Sequence, residues 1–147
     1  MEEVLLSTVT PVYRGAAWLP ELVSELEKVS RELEEAGGPL RLAEAIFVDD
    51  GSGDGSDEVL AELSERHPWV HVVTLSRNFG QHPATSAGIL HSSGDWVATL
   101  DEDLQHPPTQ LVPLLLRAVA SGSDVAYARP RGGVHGSVFR DASSRLI

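Results

Sequence analysis

Cysteine is absent from the 147 residues of this chain. Its absence excludes disulfide bonds, thiolate nucleophiles and cysteine-ligated zinc, and it fits a reducing cytoplasm, which is the location we expect. Long apolar runs are also missing, because none approaches the roughly 20 residues that span a bilayer. The start of the chain is acidic, at Glu2 and Glu3, so we expect neither a secretory signal nor a transit peptide.

Basic residues are scarce: 11 Lys and Arg stand against 22 Asp and Glu, for a formal net charge of -11. A field of that sign repels nucleic acid and anionic headgroups, so we expect no nucleic-acid partner. Most surface acids are explained by solubility. The end of the chain differs in composition. Residues 129–147 contain four arginines, Arg129, Arg131, Arg140 and Arg145, and a single acidic residue, Asp141. An anionic ligand is therefore expected near this stretch.

What the sequence does contain is a regular alternation of apolar strands and amphipathic helices. Strands are predicted over 4–12, 43–48, 70–75, 95–100 and 124–128. Helices are predicted over 18–35, around 59–67, over 84–91 and over 109–120. This order predicts right-handed βαβ units in one α/β domain over 1–147, with three α/β/α layers and a mostly parallel sheet.

Clusters of polar residues follow the predicted strands directly. They lie at 11–13, 49–52, 76–78 and 101–103. Ligands of such sheets bind beyond the carboxyl ends of the strands, so we expect these clusters to meet at one edge. P-loop, dinucleotide-binding and hydrolase-elbow motifs are absent, which argues against those classes.

The acidic triplet Asp101, Glu102 and Asp103 follows the fourth predicted strand. If the segment is extended, Asp101 and Asp103 share a face and Glu102 points away from it. Two neighbouring carboxylates repel, and a hard divalent cation relieves that repulsion. Mg²⁺ or Mn²⁺ would also leave positions for phosphate oxygens. The alternative is an acidic turn that caps the helix near Pro107 and Pro108.

A second acidic motif, Asp49-Asp50-Gly51-Ser52, ends the second predicted strand. Asp and Ser can cap the helix that follows. Two adjacent acids with a glycine instead favour a backbone that passes close to a ligand, with a carboxylate that accepts hydrogen bonds from a nucleobase or ribose. Arg77, after the third strand, either meets phosphate or pairs with an acidic neighbour.

The order of these motifs resembles the family-two glycosyltransferases of GT-A fold, and among them the polyprenyl-phosphate sugar transferases related to dolichol-phosphate mannosyltransferase. The matching stretches are 10–13, 47–56, 75–80, 87–88, 94–95 and 100–108. They occur in the family's order over nearly the whole chain. The most specific is the run from Asp101 through Asp103, Leu104 and Gln105 to Pro107 and Pro108.

The resemblance implies a hexosyltransferase that uses Mg²⁺ or Mn²⁺ and takes its sugar from a nucleotide-diphosphate sugar. The residues implied in donor binding are Pro11, Tyr13, Asp49, Asp50, Ser52, Arg77 and Asp101. The implied metal ligands are Asp101, Asp103 and Gln105. The acceptor phosphate would meet Arg129 and Arg145, and the implied catalytic set is Asp101, Asp103 and Arg129.

The chain departs from the family pattern in two places. The family often continues with Asn-Glu after the tyrosine, where Arg14 and Gly15 stand here. Relatives also continue beyond the length of this chain. We therefore expect a fragment, a short natural variant or one half of a two-chain enzyme, truncated at the C-terminal acceptor part. Contact with the inner face of a membrane would come only through missing segments or a partner chain.

The class of acceptor can be predicted from whether the reaction needs a general base. A sugar hydroxyl needs one, and neither Asp124 nor Asp141 is suited to that role. A polyprenyl phosphate is already an oxyanion, which arginines could position, so it is favoured over another glycan acceptor in an inverting transfer. Two alternatives stay open. They are a sugar nucleotidyltransferase, although residues 13–17 make a poor glycine-rich loop, and a non-catalytic donor-binding or regulatory subunit.

Overall fold

A computed structural model describes residues 2–128 of the chain. The elements in order are β1 (Val4–Val12), α1 (Leu19–Glu35), β2 (Leu40–Asp49), α2 (Ser56–Arg66), β3 (Val70–Thr74), α3 (Gln81–His91), β4 (Trp96–Thr99), a 3-10 turn (Pro108–Gln110) and α4 (Leu111–Ser121). The four strands of this part of the chain are parallel and lie in the order β3-β2-β1-β4.

The sheet is covered on both faces, as the alternation of the sequence predicted. Phe47 points to one face, where it packs with α1 and α2, while its neighbour Val48 points to the other, where it packs with α3. Helix α4 joins α1 over Leu6 and Ala98. Three α/β/α layers around a parallel sheet are therefore confirmed. That residues 1–147 form a single domain stays a prediction.

Helix α3 packs directly on the central strand because Gly88 has no side chain. A Cβ atom at Gly88 would lie 2.3 Å from Cγ1 of Val9. The close packing brings the start of α3 to the carboxyl edge of the sheet. The helix begins at Gln81 rather than at the predicted Ala84, and this extra length carries a polar side chain to that edge.

The fifth strand predicted over 124–128 is wrong. The structure gives this segment no regular secondary structure, and Val125 and Tyr127 are 63% and 80% exposed. Its alternating apolar residues satisfied the pattern of a strand. A strand, however, also needs a backbone partner, and the ladder formed by β4 within residues 2–128 is with β1.

Among the same residues, no helix has the length and apolar character needed to cross a bilayer.

Candidate active site

A cleft of about 530 Å³ opens at the carboxyl edge of the sheet. Its lining comes from the ends of β1, β2 and β4, the loop after β3 and the start of α3, namely Pro11, Val12, Tyr13, Asp50, Asn78, Gly80, Gln81, Asp101, Glu102 and Asp103. Each of the four polar clusters of the sequence contributes at least one residue. Their meeting at one edge follows from the parallel strand order, as expected.

The acidic triplet forms a turn rather than an extended segment. Strand β4 ends at Thr99, and Leu104 takes a left-handed conformation with φ 58°. Glu102 therefore lines the same cleft as Asp101 and Asp103, so the prediction that it points away is wrong. The capping alternative is not supported either, because neither the 3-10 turn nor α4 has a side-chain cap.

The carboxylate of Asp101 is oriented by a residue that the sequence analysis missed. Gln81, the first residue of α3, donates a hydrogen bond of 2.9 Å from Nε2 to Oδ1 of Asp101. The only signal in the sequence was a polar residue directly after Gly80, where a helix starts at the ligand-binding edge. Asp103 accepts a hydrogen bond of 3.2 Å from the backbone N–H of Gln105.

Glu102 is the most perturbed acid of the cleft. Burial raises its pKa to about 7, the N–H of Tyr13 opposes this rise, and the negative charges of Asp103 and Asp101 add to it. The hydrogen bond from Tyr13 N–H measures 3.1 Å to Oε2. The pKa shift therefore comes first from burial and then from the neighbouring carboxylates, and perturbed acids of this kind are common at functional sites.

Asp49 and Ser52 are bonded to each other inside the turn after β2. Oδ1 of Asp49 accepts hydrogen bonds from the backbone N–H of Ser52 at 3.1 Å and from its hydroxyl at 2.8 Å. Both residues are buried, and neither caps α2, which begins after Gly55 without a side-chain cap. Neither lines the cleft. Their part in donor binding stays a prediction.

Asp50 reaches the cleft but is held by the loop after β3. It accepts hydrogen bonds from the N–H of Phe79 at 2.7 Å, from the N–H of Gly80 at 2.9 Å and from the Asn78 amide at 3.3 Å. A Cβ atom at Gly51 would lie 2.7 Å from the Asn78 nitrogen. The close backbone approach predicted at Gly51 is therefore to this loop rather than to a ligand.

Two further predicted site residues, Arg77 and Gln105, do not line the cleft. Arg77 is exposed, lies 3.9 Å above the ring of Phe79 and donates to the carbonyl of Asn78 at 3.1 Å, instead of pairing with a carboxylate of the described part. Gln105 is exposed outside the cleft. Arg129 and Arg145 lie outside the described residues.

The donor set at Asp101 and Asp103 fits a shared divalent cation better than a closed metal cage. Among residues 2–128, no three His, Asp or Glu side chains converge as a metal-binding group. Mg²⁺ usually keeps several waters and is bound by one or two carboxylates plus substrate phosphates. Two carboxylates at the edge of an open cleft match that requirement.

The fold is of the GT-A type, which solved glycosyltransferase neighbours share. One solved neighbour is the mannosyltransferase PcManGT from Pyrobaculum calidifontis in complex with GDP-Man and Mn²⁺, with a TM-score of 0.63 and 21% identity over 81% of this chain and 32% of that one. The S. aureus TarS 1-349 structure has a TM-score of 0.65 and 20% identity over 92% of this chain and 39% of that one.

The model of the family described as glycosyl transferase family 2 matches residues 7–145, and the chain belongs to this family. It is 43% identical over 144 residues to the undecaprenyl-phosphate 4-deoxy-4-formamido-L-arabinose transferase of Pseudomonas paraeruginosa. The transferase of the same name from Salmonella choleraesuis is 37% identical over 143 residues. Each match covers 97% of this chain but only 40% or 41% of the relative. The resemblance predicted from the motifs is confirmed.

Proposed function

We propose that this chain carries the donor site of a metal-dependent, inverting glycosyltransferase that moves a sugar from a nucleotide-diphosphate sugar to a polyprenyl phosphate. The observation that carries the proposal is the meeting of Asp101 and Asp103 with Tyr13 and Pro11 around one cleft. Acidic residues at the carboxyl edge suit a cation and a diphosphate, and the neighbouring loop suits a nucleoside.

In this proposal Asp101 and Asp103 would hold Mg²⁺ or Mn²⁺. Gln105, which is exposed outside the cleft, would have to turn toward it to be a further ligand. The bound metal supplies electrostatic stabilisation of the diphosphate as it leaves. Gln81 keeps Asp101 turned toward the cleft through its hydrogen bond. Support comes from the neighbour whose structure holds both GDP-Man and Mn²⁺.

The nucleoside would lie against Pro11 and the ring of Tyr13, which is 44% exposed. The roles of Asp49, Asp50 and Ser52 in holding base and ribose belong to the same proposal. Asp50 is the best placed of the three, since it lines the cleft. Arg77 would have to leave the ring of Phe79 to reach a phosphate.

The acceptor proposal rests on chemistry and on the relatives named as undecaprenyl-phosphate transferases. An oxygen of the acceptor phosphate attacks the anomeric carbon on the face opposite the diphosphate. The new carbon–oxygen bond forms as the bond to the diphosphate breaks, so the configuration inverts. The acceptor is already an oxyanion, so the chain needs no general base. Arg129 and Arg145 would position it.

Transfer can be tested with the protein of the natural reading frame, undecaprenyl phosphate and radiolabelled nucleotide sugars, with Mn²⁺ or with EDTA. We expect label in the lipid fraction only with Mn²⁺. Donor binding without transfer or donor hydrolysis would instead indicate a binding subunit. Pyrophosphate release from a nucleoside triphosphate and a sugar phosphate would indicate a nucleotidyltransferase. Inversion is read from the anomeric configuration of the product.

A further inference from the structure

The loop between β1 and α1 is connected to the acidic turn through Glu102. Its carboxylate accepts the backbone N–H of Tyr13, at 3.1 Å to Oε2 and 3.4 Å to Oε1. The two residues are separated by 89 positions in the chain. The hydrogen bond therefore joins the proposed nucleoside side of the cleft to its metal side.

Gly15 makes room for this contact. It is buried, and a Cβ atom there would lie 2.9 Å from Cδ and 3.0 Å from Cγ of Glu102. The stem of Glu102 thus fills the space that a side chain at position 15 would need. Gly15 is one of the two positions at which the chain departs from the usual first motif of its family, and the contact gives that departure a physical reason.

The same loop contains a strained residue. Arg14 has a left-handed backbone with φ 57°, a conformation that costs a non-glycine residue free energy and persists when its surroundings hold it. Two carboxylates hold the loop on either side of Arg14. Glu102 bonds the N–H of Tyr13, and Oδ2 of Asp54 accepts the N–H of Ala16 at 3.3 Å.

From this geometry we infer that Glu102 is a positioning residue, which holds Tyr13 at a set distance from Asp101 and Asp103 and so prearranges the cleft for a nucleoside diphosphate. The inference deepens the proposed function and rests on it. A loop that is already ordered loses less conformational entropy when the nucleotide binds, so the affinity of the protein for the nucleotide is higher.

The test compares Glu102→Ala with Glu102→Gln in the natural full-length protein. The ligands are UDP and GDP with Mn²⁺, titrated by calorimetry, and hydrogen exchange of the Tyr13 amide is measured without ligand. Glu102→Ala should speed that exchange and raise the Kd of whichever nucleotide the wild type binds by about tenfold, the equivalent of one hydrogen bond. Glu102→Gln keeps Oε1 as an acceptor and should restore most of the nucleotide affinity and most of the protection of the Tyr13 amide from exchange.

Two further variants complete the design. Gly15→Ala forces Glu102 aside and should raise the Kd as Glu102→Ala does, while Glu65→Ala, on the exposed surface of α2, should change nothing. An unchanged melting temperature with a raised Kd separates positioning from stability.

Three results would overturn the inference. The first is a Kd of Glu102→Ala equal to that of the wild type. The second is a Glu102→Gln variant that binds as weakly as Glu102→Ala, because the charge of Glu102 rather than its hydrogen bond to Tyr13 would then matter. Failure of the wild type to bind either nucleotide would remove the proposed function and this inference together.

Discussion

Oδ1 of Asp50 accepts a hydrogen bond of 2.7 Å from the backbone N–H of Phe79. The bond ties the end of β2 to the loop that precedes α3, and Gly80 adds a second N–H at 2.9 Å. Asp50 is only 2% exposed, so little water could replace it as an acceptor. An acid that the motif assigns to the donor therefore also holds the wall of the cleft.

Asp50→Ala should lower the free energy of unfolding by about 1–3 kcal/mol, since it leaves two backbone donors without their acceptor. Urea denaturation measures the change, with the exposed Asp124→Ala as the control. If stability is unchanged and nucleotide binding is lost, Asp50 serves the ligand rather than the loop.

A nucleoside diphosphate should stabilise the protein only when Mn²⁺ or Mg²⁺ is present. Asp101 and Asp103 both line the cleft, so their negative charges repel a bare diphosphate. At 100 times its Kd, a ligand adds about 2.7 kcal/mol of stability. Equal thermal shifts with metal and with EDTA would contradict the metal proposal.

Asp103→Ala should abolish the metal-dependent shift while the fold stays intact or becomes slightly more stable. The substitution removes one of the repelling carboxylates, and strained functional sites commonly gain stability when such a group is lost. Circular dichroism and thermal unfolding of the ligand-free variant measure this. A variant that is unfolded at room temperature would show that Asp103 has a structural role instead.

Glu44, which lies on β2 away from the cleft, should make the stability of the fold depend on pH. Burial alone would raise the pKa of Glu44, but hydrogen bonds from Ser7 and Ser93 outweigh it and hold the pKa below the ordinary 4.5. Ionised Glu44 therefore stabilises the fold above pH 4.5, and this contribution is lost as the pH falls through its lowered pKa.

Glu44→Gln keeps an acceptor oxygen but not the charge, so it should be about 1 kcal/mol less stable than the wild type at pH 7. The difference should shrink once the pH is well below 4.5. Urea unfolding at both pH values, with Glu65→Gln as the control, measures it. A difference that is independent of pH would mean that shape rather than charge matters at this position.

Arg129→Ala should leave donor affinity nearly unchanged and reduce transfer to a polyprenyl phosphate by about tenfold or more, since a hydrogen bond to a charged group contributes about 1.5–3 kcal/mol. The prediction rests on the family resemblance and on the cluster of arginines near the end of the chain. Arg66→Ala, exposed on α2, is the control. A parallel fall of affinity and transfer would place Arg129 in the donor site, and no change would make it a surface residue.

The sequence by itself determined the layers, the parallel arrangement of the strands and the family. The spacing of Leu19, Leu22, Val23 and Leu26 sets the buried face of α1, and that face is the one the structure buries. Such periodicities are local, because the helical repeat alone decides which side chains share a face. The order of polar motifs after the strands was likewise enough to place them at one edge.

Only the tertiary structure decided which contacts the site residues make. Whether Glu102 points away or meets Tyr13 depends on the turn after β4 and on a contact across 89 positions. The bond between Gln81 and Asp101 likewise requires α3 to start at the edge, which the packing of Gly88 on Val9 allows. Side-chain pattern reports burial but not the backbone partner, and for that reason residues 124–128 looked like a strand and are not one.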